Sequence, residues 1–184
     1  MPPRLVVLAS GSGSTLQALL DAGLPIVAAG TDVPGCGAMQ RAEGAGVDTF
    51  AVAFADFADR GLWNEVLASE VSRYEPDLVV LAGFMRVLAP SVVRRFRIVN
   101  THPALLPAFP GAHAVRDALV AGARTTGVTV HWVDEGVDTG PIIAQQSVPI
   151  EDGDDEERLR ARVQAVEKPL YVQAIRQLCE DLTK

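Results

Sequence analysis

Short, almost uninterrupted apolar runs recur through the first half of the chain, each parted from the next by a stretch of helical periodicity. The runs RLVVLA at 4–9, PIVAAGT at 25–31, residues 47–53 and DLVVLAG at 77–83 read as strands. Near-continuous Val, Leu and Ala is the pattern of strands covered on both faces. Helical segments fill the gaps at 15–22, 37–45 and 56–74, the last carrying Phe57, Leu62, Val66, Leu67 and Val71 near helical spacing. Strand, helix and strand repeated in this order predict an α/β fold, a parallel twisted sheet with right-handed crossovers flanked by helices.

The second half changes character. Residues 126–134 (TGVTVHWVD) alternate, with Val128, Val130 and Trp132 on one face and Thr129, His131 and Val133 on the other, and 141–149 gives a further strand. The sheet is therefore expected to become mixed toward the C-terminal half. Trp132 reads as core, and Trp63 as partly exposed on its helix. Carboxylates of EDGDDEE at 151–157 open a long helix, where they suit the dipole, and Leu159, Val163, Val166, Leu170, Ala174 and Leu178 continue it at spacings of three and four. Pro169 is expected to kink or divide that helix. With no internal repeat, linker or low-complexity tract, 184 residues predict a single domain over 1–184 around one core.

Composition removes whole classes of function. A net charge of −7 argues against a general nucleic-acid or membrane-surface role, because such binding rests on basic patches, so anionic ligands would need local donors. Cys36 and Cys179 lie far apart without CxxC spacing, which signals neither a disulfide framework nor a thiolate metal cluster. The N-terminal MPPRLVVLASGSG is too short in apolar residues for a signal peptide or membrane span, and a cytoplasmic location is the expectation.

Two segments carry chemistry. NTHPALLPAFPG at 100–111 follows an apolar strand and sets Asn100 and His102 one residue apart in a loop stiffened by Pro103, Pro107 and Pro110. An amide there can donate to an oxyanion, and an imidazole can carry a proton near neutral pH. DEGVDTGP at 134–141 supplies Asp138, either the partner that orients and charges that histidine or a turn residue with Thr139 and Gly140. SGSGST at 10–15 follows a strand and opens a helix. It reads equally as a phosphate cradle and as a tight turn with a hydroxyl cap. His113, at a helix start, and His131, in a strand, match no zinc spacing and read as structural.

These pieces resemble the phosphoribosylglycinamide formyltransferase family, which moves a formyl group from 10-formyltetrahydrofolate to the amine of glycinamide ribonucleotide in purine biosynthesis. The resemblance runs through VVLASGSGSTLQALL, DLVVLAGFMRVLAP, IVNTHPALLPAFPG, TGVTVHWVDEGVDTGPIIAQ and RVQAVEKPLY, nearly the whole chain. It implies a Rossmann-like formyltransferase fold with ligands at the carboxyl ends of the strands. By the same resemblance Asn100, His102 and Asp138 match the catalytic trio. Gly13, Ser14 and Thr15 match the loop holding the nucleotide phosphate, and Gln164, Ala165, Val166 and Glu167 match another nucleotide contact. Arg60, Met85, Arg86, Val87 and Leu88, with Asn100 and the loop of Asp134, Glu135, Gly136, Val137 and Asp138, match the formylfolate site.

Read from the residues alone, Arg60 and Arg86 either pair on the surface or meet an anionic ligand, and Glu167 either accepts from ribose hydroxyls or pairs within its helix. The resemblance implies small-molecule partners, no metal, no nucleic acid and no membrane, and it allows a homodimer. Two departures stand out. Thr15 replaces the Asn common in the family, and the chain stops soon after its last helix. The rival readings are another formyltetrahydrofolate enzyme and a non-enzymatic nucleotide-binding module. Of the former, a tRNA-directed formyltransferase would bring an added C-terminal domain and a hydrolase an added N-terminal one; the module would leave the Asn100 segment without a purpose.

Overall fold

The computed structural model describes residues 1–184, and its sheet of seven strands runs in the order β3-β2-β1-β4-β5-β6-β7. Its strands are β1 (Leu5–Leu8), β2 (Ile26–Thr31), β3 (Asp48–Ala51), β4 (Leu78–Leu81), β5 (Ile98–His102), β6 (Thr125–Trp132) and β7 (Ile142–Pro149). The helices are α1 (Ser14–Asp21), α2 (Gly37–Gly44), α3 (Arg60–Ser72), α4 (Pro90–Val93), α5 (Ala114–Val120) and α6 (Glu156–Leu182). The chain divides into two compact units, one of Met1–Val99 with Arg176–Lys184, the other of Asn100–Ile175. No helix is long and apolar enough to cross a membrane.

In the first unit, β1 pairs in parallel with β2 and β4, and β2 with β3. Every residue of β1 and β4 is buried, as their unbroken apolar sequence requires. The segment expected as one helix at 56–74 is shorter and interrupted. Phe54–Asp56 forms a 3-10 turn, Asp59 then accepts from Leu62 N–H at 3.0 Å, and the helix proper starts at Arg60. An aspartate satisfies an orphan amide at a helix start better than it sits within one, so Phe57 falls outside the helix. Trp63 is fully buried rather than partly exposed. Its indole donates to the Val52 carbonyl at 2.9 Å, and its ring meets Phe54 edge-on at 5.2 Å and stacks on Phe84 at 6.3 Å.

In the second unit, β6 and β7 are antiparallel, which makes the sheet mixed. Residues 126–131 of β6 are buried on both faces, so the alternation in the sequence reflects two packed surfaces. Trp132, expected in the core, is only half-buried at the strand end. Val115, Val128, Val148, Leu159 and Val163 form the apolar cluster, with Leu119, Ile150, Val166 and Leu170 against it. Arg162 clasps Asp154 at 2.6 and 3.0 Å and reaches the Pro149 carbonyl at 3.0 Å, tying the α6 start to the β7 end. Pro169 lies inside α6 without dividing it. Burial of Val163, Tyr171 and Ile175 on either side holds the helix through the missing hydrogen bond.

Candidate active site

Strand β5 ends in the chemistry: Asn100 is half-buried, and His102 is buried at 4 % exposure. His102 Nε2 lies 2.8 Å from the Phe109 carbonyl, and its Nδ1 lies 3.4 Å from Asp138 Oδ2. Both ring nitrogens thus face oxygen acceptors. The Asp138 carboxyl sits below its usual value. A hydrogen bond from His131 is the main cause; partial burial opposes it, and the Gly111 amide, donating at 2.8 Å, and the charges of His102 and His131 assist.

His131 belongs to this cluster, although its place in a strand reads as structural. Its Nδ1 lies 2.9 Å from the Trp132 carbonyl, which leaves Nε2 3.4 Å from Asn100 Nδ2 and 3.6 Å from Asp138 Oδ1. Neutral, that nitrogen accepts from the Asn100 amide; protonated, it faces the carboxylate. The pairing of β6 with β7 slips between Val130 and His131, and a bulge of this kind re-aims a side chain beside a site. The usable signal in the sequence was position: His131 ends the strand that leads into the Asp138 loop.

The loops around this cluster are braced by polar side chains. The Thr129 hydroxyl donates to the Ala104 carbonyl at 2.7 Å and accepts from Leu106 N–H at 3.0 Å and Gln145 Nε2 at 2.8 Å, using its full capacity to hold the segment after His102. Asp134 Oδ1 accepts from Gly136 N–H at 3.0 Å and Thr139 Oγ1 at 2.7 Å, so this carboxylate braces its own loop. A Cβ on Gly140 would fall 1.8 Å from the Trp132 carbonyl, which only glycine avoids. Phe109 and Asp138 both sit at positive φ, 53° and 55°, a conformation that side chains adopt only where surroundings enforce it.

The remaining predicted positions are described within their own units. Gly13 caps α1 at φ 76°, and a Cβ there would lie 2.4 Å from Ala38 Cα, so the loop packs directly on the α2 start. Ser14 and Thr15 open α1, where backbone amides and the helix dipole favour an anion. Arg41 of α2, not foreseen from the sequence, donates to the Ser12 carbonyl at 2.8 Å and places a positive charge beside this loop. Arg60 donates to the Val87 carbonyl at 2.6 Å, and Arg86 pairs with buried Asp32 at 2.6 Å, so each guanidinium holds protein groups. Met85 and Val87 are exposed and Leu88 is buried. On α6, Gln164 and Ala165 are exposed, Glu167 is half-buried, and Val166 packs on the apolar cluster. Glu135 and Gly136 are exposed, as is Val137. No group of His, Cys, Asp and Glu is arranged to hold a metal ion.

Likeness to known proteins points to one family. A formyl transferase family model matches residues 3–175. A phosphoribosylglycinamide formyltransferase of Mycobacterium tuberculosis (strain H37Rv) is 52% identical over 181 residues, covering 95% of this chain and 84% of the relative. The enzyme of that name from Escherichia coli (strain K12) is 41% identical over 91% of the chain and 83% of its own length. A crystal structure of glycinamide ribonucleotide transformylase 1 from Symbiobacterium toebii superposes with a TM-score of 0.94 at 42% identity, covering 98% of this chain and 89% of that one. With the matched segment spanning both strand-end loops and the Asn100, His102 and Asp138 cluster, the chain belongs to the formyl transferase family.

Proposed function

We propose that the protein transfers the formyl group of 10-formyltetrahydrofolate to the primary amine of glycinamide ribonucleotide. The observation that carries this reading is the meeting of an amide donor, an imidazole with both nitrogens on acceptors and an ionised carboxylate at the end of β5. Attack of the amine on the formyl carbon forms a C–N bond and leaves an oxyanion on the former carbonyl oxygen. Collapse breaks the bond to the folate nitrogen, and the proton lost by the amine ends on that nitrogen. Asn100 donates to the oxyanion, and His102 assists it and acts as general acid, its positive form attracted by Asp138.

In this proposal Gly13, Ser14 and Thr15 take the nucleotide phosphate on the amides that open α1, and Gln164, Ala165, Val166 and Glu167 contact the rest of the nucleotide. Thr15 offers a hydroxyl where relatives commonly offer an amide, which phosphate binding through backbone donors tolerates. Residues 85–88, Arg60 and the loop from Asp134 to Asp138 take the formylfolate. Arg60 does so by shaping that segment through the Val87 carbonyl.

An absorbance assay for folate product tests the proposal. Product is expected only when glycinamide ribonucleotide is present; equal rates without it would establish a hydrolase instead. Replacing Asn100 and His102 together by alanine is expected to abolish transfer, and a double variant within about tenfold of the parent overturns the assignment.

A further inference from the structure

Residues 85–88 have no regular secondary structure, yet side chains from neighbouring elements pin them almost residue by residue. Met85 N–H donates to Ser10 Oγ at 2.9 Å, Arg86 Nε to Asp32 Oδ2 at 2.6 Å, and Ala89 N–H to Asn64 Oδ1 at 2.8 Å, while Arg60 holds the Val87 carbonyl. The first and second of these anchors meet in one group. The Ser10 hydroxyl donates to Asp32 Oδ1 at 2.5 Å, so a single carboxylate holds Ser10 on one oxygen and Arg86 on the other.

That carboxylate is 0 % exposed, directly beyond the last residue of β2. A buried charge is retained at a cost unless its partners satisfy it, and here both partners lead to the same segment. Asp32 also works through its backbone: its carbonyl accepts from Phe54 N–H at 3.2 Å, and the Phe54 ring lies 4.2 Å from the Arg86 guanidinium carbon. Arg86 is thus fixed by a carboxylate at its edge and an aromatic ring at its face, and its charge is committed within the protein. Met85 and Val87, 72% and 53% exposed, are left on display from a pinned backbone.

We propose that Asp32 is a positioning residue for the formyl donor: through Ser10 and Arg86 it sets segment 85–88 before the donor arrives, and it has no part in holding the nucleotide. The inference rests on the proposed placing of formylfolate on that segment. A segment already fixed loses little freedom on binding, so releasing it weakens the donor alone.

The test compares Asp32→Asn and Ser10→Ala with the parent enzyme, each substrate varied at saturation of the other. Asp32→Asn is expected to raise KM for 10-formyltetrahydrofolate about tenfold and Ser10→Ala about threefold, with KM for glycinamide ribonucleotide and kcat within twofold. Ser10→Ala keeps the Asp32–Arg86 pair and serves if the asparagine variant does not fold. Donor KM within twofold of the parent in the folded variants overturns the inference, and so does a parallel rise for both substrates, which marks a general disturbance. A parent that shows no nucleotide-dependent transfer overturns the functional reading and this inference with it, and that outcome is visible before any variant is made.

Discussion

Asp138 keeps its charge against partial burial because His131 Nε2 faces it at 3.6 Å and the Gly111 amide donates to it at 2.8 Å. Its folded value lies below the ordinary 3.8, so it binds fewer protons folded than unfolded in the acid range. Its contribution to stability is therefore complete above about pH 4 and is lost as pH falls through the lower folded value. Asp138→Asn, which suits the positive φ of this position, is expected to be less stable than the parent at pH 7, with the gap narrowing below about pH 4. Urea midpoints measured across that range check the sign. For turnover, Asn100→Ala alone is expected to lower kcat by about 100–1,000-fold with little change in either KM, because the oxyanion it is proposed to serve exists only beyond the ground state. Steady-state kinetics decide this, and a loss confined to KM would contradict the role.

Strand β6 shows how one element serves both packing and the candidate site. Thr129 is fully buried and saturates its hydroxyl on the segment after His102, while His131 two positions on turns toward Asn100 and Asp138. Thr129→Val keeps the shape and leaves the Leu106 amide and Gln145 without that partner. A loss of about 1–3 kcal/mol in unfolding free energy is expected, measured by chemical denaturation, with kcat reduced as the segment loosens. Elements of this kind also mark what the sequence made legible. Parallel strands and their helices were readable because burial on both faces writes itself as continuous Val, Leu and Ala. The residue types of Asn100, His102 and Asp138 marked them as candidates, and the fold brings them into one cluster. His131 was not so marked, because its role comes from a register slip against β7, and nothing local records a slip. The late start of α3 was written in Asp59, a good cap, but masked by apolar residues on either side of it. The burial of Trp63 is not legible in the sequence because Phe54, Phe84 and the Val52 carbonyl fix it, none of which periodicity on one helix can supply.

Across the molecule, protection should follow the sheet rather than the site. All residues of β1 and β4 are buried, whereas β3 at the sheet margin is half-buried at best. Native-state hydrogen exchange is expected to release amides of β3 and of the loops at 107–113 and 134–140 first, and those of β1 and β4 last, near the global unfolding limit. Early exchange in β1 would show that the first unit opens independently at its centre. The charge of −7 belongs to the same scale. It repels an anionic substrate at long range, and salt relieves that repulsion while weakening the pull of local donors, so affinity is expected to change less than about twofold between low and physiological salt. A steep loss of affinity with added salt, measured through KM for the nucleotide, would instead reveal a local basic patch.

Gly140 carries a consequence for heredity. Every missense change at a glycine codon adds at least one carbon to the residue, and here the first added carbon would land on the Trp132 carbonyl. The position therefore offers no neutral neighbour to drift toward: any lineage that replaces this residue must rebuild the path of the loop before it can explore an altered substrate preference.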